Sequence, residues 1–501
     1  MDIRNVDVDT SSFDRSAVTE VKKVKLTPAG CAVDIGDGSE RAEYVCQDYM
    51  INKLGRPHRN ISLMYTYYPK DKEWPQRISE AHPEMKISYQ WEYPYDDYPI
   101  YGGGIGGSLD NAPFTQMRDI RSHGQDVSLT LTIDCSVEDE HLIRIAKDLR
   151  NFGRMRLRIN HECAGTWFTH NRRFTYKEIS DFFVKFHKII KEYAPNVMTV
   201  FCSGFVLDDG KMDHEEDFLE ALKVADVWSG DRYIALHSAW PFSICEEGEG
   251  QEYSISVADC FELFKNTTAR LKEINGGVQK PFSASEFNID GDVTGAKHQA
   301  DGIIRFAEML KKEKPDWFNN LSLYQFRDRG RLGLELEDPN NSSVGIEQPM
   351  LEAYKEMIKD PYFNPGVEET GFIDLNDETP IEMRWGSAED SDGIEMKVRL
   401  EKTPYFFDMV LPKEQNLMIS VNGRWFYKSP GVSIIDVMPA FLDRGAAEIK
   451  EGQEISVLIF APPAGGENMD DGRSDWDINY YTQLNELPRF RIKYNPMYEV
   501  L

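Results

Sequence analysis

The stretch Arg154–Phe205 decides the architecture. It opens with RMRLRINHE (Arg154–Glu162), continues through TYKEISDFFVKFHKIIKEY (Thr175–Tyr193) and closes with NVMTVFCSGF (Asn196–Phe205). The outer runs have the length and apolar content of strands. The middle run has a helical period, with Ile179, Phe182, Phe183, Phe186, Ile189 and Ile190 on one face. Thr175 and Glu178 have the spacing of a capping box at its start.

The same alternation extends in both directions. Further strands are expected at Asn60–Pro69, Lys86–Pro94, Asp126–Cys135, Asp231–Ser238, Lys280–Phe287 and Asn320–Asp328, which with the first two make eight. Helical periods follow in SVEDEHLIRIAKDLR, SVADCFELFKNTTARLKEI and TGAKHQADGIIRFAEMLKKE. Eight strand–helix units over roughly 300 residues have the size of an α/β fold of the (β/α)8 TIM-barrel type. An open doubly wound sheet is the structural alternative. Beyond residue 362 the period becomes two, in runs such as GIEMKVRLE, LMISV, RWFYK and EISVLIFAPP. Asn422-Gly423, between LMISV and RWFYK, is a type I′ hairpin signal. The expected organisation is therefore a barrel over 59–361 and a C-terminal antiparallel β-sandwich over 362–501. Residues 1–58 are expected to supply β segments that pack on the sandwich or close the barrel bottom.

Composition narrows the function classes. The 501 residues carry 57 Lys+Arg against 85 Asp+Glu, a net charge of −28. Such a field repels phosphate backbones and anionic lipid, which argues against nucleic-acid and membrane partners. A hydrophobic fraction of 41% fits a globular chain. Residues 1–20 hold no apolar leader, and the odd, widely spaced cysteines lack a CxxC pair. The expectation is a cytoplasmic protein with reduced thiols, or a secreted one whose leader is absent from this sequence.

In a barrel, residues at the C-terminal ends of the strands face the active-site mouth. The fourth expected strand ends in Arg158-Ile159-Asn160-His161-Glu162 and the seventh in Ser285-Glu286-Phe287. These strands face each other across an eight-strand mouth. A carboxyl on each is what glycosidic-bond cleavage requires, one to protonate the leaving oxygen and one to attack or to activate water. Each Glu could instead sit in a loop ion pair, as 85 acidic residues allow. Arg158, His161 and Trp167 add a cation, a hydrogen-bonding edge and an apolar face for a sugar ring.

RINHECAGTWF resembles the fourth-strand motif of family 26 glycoside hydrolases, the β-mannanase family of the retaining barrel superfamily (clan A). Arg158, His161, Glu162, Gly165, Trp167 and Phe168 match that motif in place. KPFSASEF is similar to the seventh-strand segment that carries the nucleophile, which implies that role for Glu286. WSGDRYIALHS is similar to the sixth-strand region, where Tyr233 or His237 could stand for the usual tyrosine. Cys163-Ala164 departs from the usual Met-Asn or Met-Ser, and YQFRDRGRLGLELEDP has no clear counterpart in the eighth-strand region. The resemblance implies a retaining mechanism with Glu162 as acid/base, Glu286 as nucleophile, and no cofactor or metal. Arg158 or a Tyr hydroxyl would favour the charged form of Glu286. Asn160 or His161 would hold the sugar 2-hydroxyl. Trp91, Tyr93, Tyr95, Tyr98, Tyr101, Trp167, Trp240 and Tyr324, at or just past strand ends, are candidates to stack on sugar rings, although ordinary packing is open to each.

Three other features suggest different chemistry. YGGGIGG places Gly102, Gly104 and Gly107 in a GxGxxG pattern, but Ser-Leu-Asp-Asn-Ala-Pro follows it, not a helix start, so a rim loop is expected. The acidic run Glu467–Asp477 lacks the spacing of a calcium loop. Cys163 beside Glu162 is expected to be an inert thiol. The function that fits is a retaining, endo-acting glycosidase acting on β-linked hexose polymers or oligosaccharides of β-mannan or β-glucan type. The alternative is a barrel that binds carbohydrate without cleaving it.

Overall fold

Eight short parallel strands close on themselves: β2 (Ala32–Gly36), β3 (Asn60–Tyr67), β4 (Asp126–Ile133), β5 (Met155–Ile159), β6 (Val197–Cys202), β7 (Val227–Tyr233), β8 (Phe282–Asn288) and β9 (Phe318–Leu323). The ring closes where β2 pairs with β9, Ala32 lying opposite Asn320. The structure is a computed structural model that describes residues 9–37, 43–71, 98–165, 174–202, 204–236, 254–376, 378–443, 446, 448–467 and 478–495. The expected TIM barrel is present, with one correction at its start. Its first strand is Ala32–Gly36, inside the segment 1–58 that was expected to lie outside the barrel. The expected strand at Asn60 is therefore the second. The expected strand at Lys86–Pro94 lies outside the described residues. The strands ending in Glu162 and carrying Glu286 are still the fourth and the seventh.

The helices wrap the barrel with the faces their periods expose. In Tyr176–Tyr193, Ile179, Phe182, Phe183, Phe186 and Ile190 are buried, and the Thr175–Glu178 capping box forms. Among the described residues no helix is long and apolar enough to cross a membrane.

The rest of the chain folds into antiparallel sheets. One runs β13-β1-β15-β20-β17-β18, where β1 is Val18–Thr27, β13 Gly366–Phe372, β15 Asp390–Arg399, β17 Leu417–Val421, β18 Arg424–Lys428 and β20 Glu454–Phe460. A second, of three strands, is centred on Phe406–Val410. Between them lies a separate apolar core that includes Met396, Phe407, Ile419, Val457 and Phe490. The N-terminal strand β1 thus joins this unit, pairing with both β13 and β15. Asn422 (φ 51°) and Gly423 (φ 86°) make the left-handed turn between β17 and β18, as a type I′ hairpin requires.

The sandwich docks under the barrel, on the face opposite the C-terminal ends of the strands. Arg154 reaches Asp390 at 2.7 Å, and Asn416 donates to the Ser122 carbonyl at 2.7 Å. Gly124 sits where an added Cβ would come within 3.0 Å of Met418 and Trp385 atoms. The close approach of the two units requires the absence of a side chain there, and the φ of +72° suits glycine as well.

Candidate active site

The end of β5 builds the site by a sharp reversal. Asn160 (φ 51°) and Glu162 (φ 46°) both adopt the left-handed conformation, which asparagine tolerates better than most residues. Asn160 is fixed by its neighbour strand: its Oδ1 accepts the Ile133 N–H at 2.8 Å and its Nδ2 donates to the Ile133 carbonyl. The chain then turns so that the Gly165 N–H reaches the Glu162 carbonyl at 2.9 Å. His161 and Glu162 are thereby carried over the mouth. The Asn160 side chain clips β5 to β4, so of the two candidates for a sugar hydroxyl it is the one already engaged within the protein.

Arg158, two residues before this turn, points into the barrel and organises the acids. Its Nε donates to Thr130 at 2.7 Å, Nη1 to Asp231 at 2.8 Å and Nη2 to Glu286 at 2.6 Å. The second Glu286 oxygen accepts from the Tyr233 hydroxyl at 2.9 Å. His161 lies against the same group, with Nε2 3.4 Å from Glu286 and 3.7 Å from Glu162, and Nδ1 3.5 Å from Asp231. One atom each from His161, Glu162, Asp231 and Glu286 fall within 4.8 Å of one another. Such proximity could serve a metal ion, but Arg158 already neutralises Asp231 and Glu286 from within and would oppose a second cation. Chemically the set is able to pass a proton and to present a carboxylate for attack.

The two glutamates have different surroundings. The Glu286 side chain is 9% exposed and Glu162 22%, so Glu162 is the more open to an incoming group. Asp231 is deeply buried. That burial pushes its pKa up to about 7, the Glu286 charge adds to the rise, and Arg158 opposes it. Cys202 donates a further hydrogen bond to Asp231 at 3.2 Å.

The other expected site residues divide into three groups. Tyr324 lines the depression beside Glu286, its ring set edge-on to Tyr233 at 5.8 Å. Trp91, Trp167, His237 and Trp240 lie outside the described residues, as do Phe168, Tyr93, Tyr95 and most of the acidic run 467–477. Tyr98 and Tyr101 are buried, and Tyr101 packs against Tyr67 and Phe114 as a core aromatic. In the glycine loop the Gly104 N–H donates to Asp148 at 2.8 Å, so a carboxylate sits where a phosphate would have to. Cys163 is buried and donates to the Asn160 carbonyl at 2.7 Å, and burial pushes its thiol pKa up, away from a reactive thiolate.

The depression next to Glu286 also holds residues the sequence reading did not single out. Asp37, immediately after β2, and Gln325, after β9, line it with Arg158 and Tyr324. Asp231 belongs to the segment WSGDRYIALHS, in which the sequence singles out only Tyr233 and His237. Asp37 stands just past β2, a short strand that the apolar pattern does not reveal.

No protein-family model matches the chain, and no curated protein does. Solved structures do. A family 26 β-mannanase from Bacteroides ovatus is 12% identical, with a TM-score of 0.40 covering 67% of this chain and 90% of that one. The catalytic domain of a family 26 endo-β-1,4-mannanase from a Bacillus species is 11% identical, with a TM-score of 0.41 over 67% and 87%. A family 51 α-L-arabinofuranosidase from Bifidobacterium longum is 11% identical, with a TM-score of 0.42 over 88% and 97%. These are glycoside hydrolases. At such distances the likeness carries no argument about reaction or substrate, and the assignment rests on the side chains at the strand ends.

Proposed function

We propose that the protein is a retaining glycoside hydrolase acting, endo-fashion, on β-linked hexose poly- or oligosaccharides of β-mannan or β-glucan type. The observation that carries this reading is that β5 and β8 bring the nearest oxygens of Glu162 and Glu286 within 4.8 Å of each other, so that both can act on one glycosidic bond. Retaining enzymes hold their two carboxyls about 5–5.5 Å apart, whereas inverting ones leave about 6.5–9.5 Å for a water. The residues then fall into roles. Glu286, held at one oxygen by Arg158 and at the other by Tyr233, attacks the anomeric carbon and forms a glycosyl ester. Glu162, less buried and on the opposite strand, protonates the departing glycosidic oxygen. It then takes a proton from the water that cleaves the ester. His161 lies between the two and is within reach of a hydroxyl on the bound ring.

Hydrolysis measured on mannan, xylan, β-glucan and galactan selects the substrate class, and two variants test the roles. Glu286→Ala should be inactive on every substrate. Glu162→Ala should lose about 10²–10⁴-fold on polysaccharide yet keep activity on aryl glycosides whose leaving group needs no proton. Azide should restore turnover in Glu162→Ala with a β-glycosyl azide as product, and should give the α-azide with Glu286→Ala. The same stereochemistry from both variants would reverse or remove these assignments.

A further inference from the structure

A cleft of about 520 Å³ opens at the barrel foot, where the antiparallel sheet faces the barrel. Clefts that hold small ligands measure about 300–1,000 Å³ and favour the junction of two packed units. Three parts of the chain wall this one. The sheet supplies the first, and Leu54, Gly55 and Arg56, which follow the helix Gln47–Leu54, supply the second. Ile358 and Lys359, at the end of the helix Pro349–Ile358, supply the third. The sheet wall is a platform fixed by strand register. Ser420 of β17 lies opposite Leu458 of β20 on one side and Trp425 of β18 on the other. Residues in one row across neighbouring strands share a face, and the alternate residues Ile419, Val421 and Val457 fill the sandwich core. The row Leu458–Ser420–Trp425 therefore turns to the cleft, an aliphatic side chain and an indole with a hydroxyl between them. Trp425 is held in place, its backbone N–H donating to the Gly55 carbonyl at 2.8 Å and its ring stacked on Phe460. It is still partly exposed.

Among the described residues at the cleft the charges are matched. Arg424 pairs with Asp443, Lys355 with Glu352 at 3.2 Å and Lys359 with Glu356 at 2.6 Å. Arg56 donates to the Ile358 and Phe363 carbonyls and to the Asn364 side chain, and the Glu389 charge acts on it from the neighbouring inner space. Asn422, at the tip of the β17–β18 hairpin, adds a neutral amide to the rim. A charged ligand would bring an unmatched charge to this lining. A wholly apolar one would desolvate the Asn422 amide and the Ser420 hydroxyl without replacing their hydrogen bonds to water. An apolar floor with a neutral hydrogen-bonding rim suits a molecule that is apolar on its faces and polar at its edges. A sugar ring has this form, with C–H bonds on its faces and hydroxyls around its rim, and an indole offers a broad apolar face for it to stack on.

We propose that this cleft is a second sugar-binding site, at the opposite end of the barrel from Glu162 and Glu286, which takes a short neutral hexose oligosaccharide with one ring on Trp425 and hydroxyls toward Ser420 and Asn422. The choice of β-linked sugars as test ligands rests on the glycosidase reading, whereas the site rests on its own lining. Bound there, an oligosaccharide is held clear of the carboxyls that would cleave it.

The test uses the full chain carrying Glu286→Ala, which should not consume its ligands. It is titrated calorimetrically with cellotriose and with mannotriose, and its crystals are soaked in the same sugars. Sugar density on Trp425 is expected, together with saturable binding in solution that a further Trp425→Ala weakens about tenfold or more, as loss of an aromatic anchor does. Thermal melts establish that the variant is folded. Should Trp425→Ala not fold, Ser420→Gln, whose longer side chain occupies the platform, should weaken the same binding. Sugar in the catalytic mouth alone overturns this site and leaves the glycosidase reading standing. Sugar in the cleft alone supports the site and counts against that reading. Density in the cleft without binding in solution that these variants weaken is binding at crystal concentration only, and it overturns the proposal. So does a cleft that stays empty with both sugars.

Discussion

Removing the Tyr233 hydroxyl tests whether Glu286 is held for attack. The hydroxyl donates to one Glu286 oxygen at 2.9 Å while Arg158 donates to the other at 2.6 Å, so Tyr233→Phe removes the tyrosine's hydrogen bond to the carboxylate and leaves that of Arg158 in place. A hydrogen bond to a charged group contributes about 1.5–3 kcal/mol. At 1.36 kcal/mol per decade, its loss in the attacking step lowers the rate about 10- to 150-fold. Tyr233 is only partly buried, so water can replace the hydroxyl, which places the expectation in the lower part of that range. The ring itself remains, edge-on to Tyr324, and the apparent affinity for substrate should change little. The assay is single-turnover cleavage of an activated aryl β-glycoside, with thermal melts to establish that the variant is folded. A folded Tyr233→Phe that reacts within about twofold of the wild type would refute the positioning argument.

Three further outcomes can be checked without a substrate. His123, at the barrel foot, stacks on Tyr427 of β18. Burial opposes its charge, but hydrogen bonds to Asp119 and Asp48 outweigh this and raise its pKa from 6.5 to about 9. The raised value means that about 3 kcal/mol of stability is fully present below pH 6.5 and is lost as pH rises through 9. Urea midpoints should therefore fall over that window in the wild type and stay flat in His123→Gln, and parallel curves would reject the account. Asp231, raised from 3.8 to about 7 chiefly by burial, binds its proton more tightly folded than unfolded. Its contribution is full below pH 3.8 and lost as pH rises through 7, so Asp231→Asn should show a shallower loss of stability over that interval. Among the described cysteines, Cys46 is exposed and Cys163 is buried. Iodoacetamide followed by peptide mass mapping should label Cys46 in the native protein and Cys163 only after denaturation, and native labelling of Cys163 would contradict its burial.

The juxtaposition of the candidate pair was legible because it depends on counting strands and on what stands at their ends. Glu162 and Glu286 could be read from two short motifs, and Arg158 from its spacing before the first of them. Conformation was not legible in the same way. Asn160 reads as a free amide facing the mouth, and only its positive φ and the clip to Ile133 show that its side chain is already used. Of the two residues that could stand for the sixth-strand tyrosine, Tyr233 brings its hydroxyl to Glu286, and His237 lies outside the described residues. That choice depends on where β7 ends relative to β8, and on the register irregularity between Gly230 and Asp231. No run of residue types records such an irregularity.

The missed first strand has a physical cause that bears on the site. β2 is five residues long, AVDIG, with a carboxylate at its centre. A reading based on alternating apolar content rejects so short a run with a charge in it. Asp34 is tolerated because Arg59 and Asn60 bond it from the start of β3. The same substitution of polar for apolar groups continues up the barrel, through the serines on β3, β4, β8 and β9 to Arg158 between Asp231 and Glu286. Had branched residues filled those layers, Arg158 would have to be desolvated against hydrocarbon to reach both acids from below. A hydroxyl-lined interior instead offers it Thr130 as a hydrogen-bond acceptor at 2.7 Å. The feature that hid the first strand from a hydrophobic reading therefore also lets a buried guanidinium hold the candidate nucleophile in place.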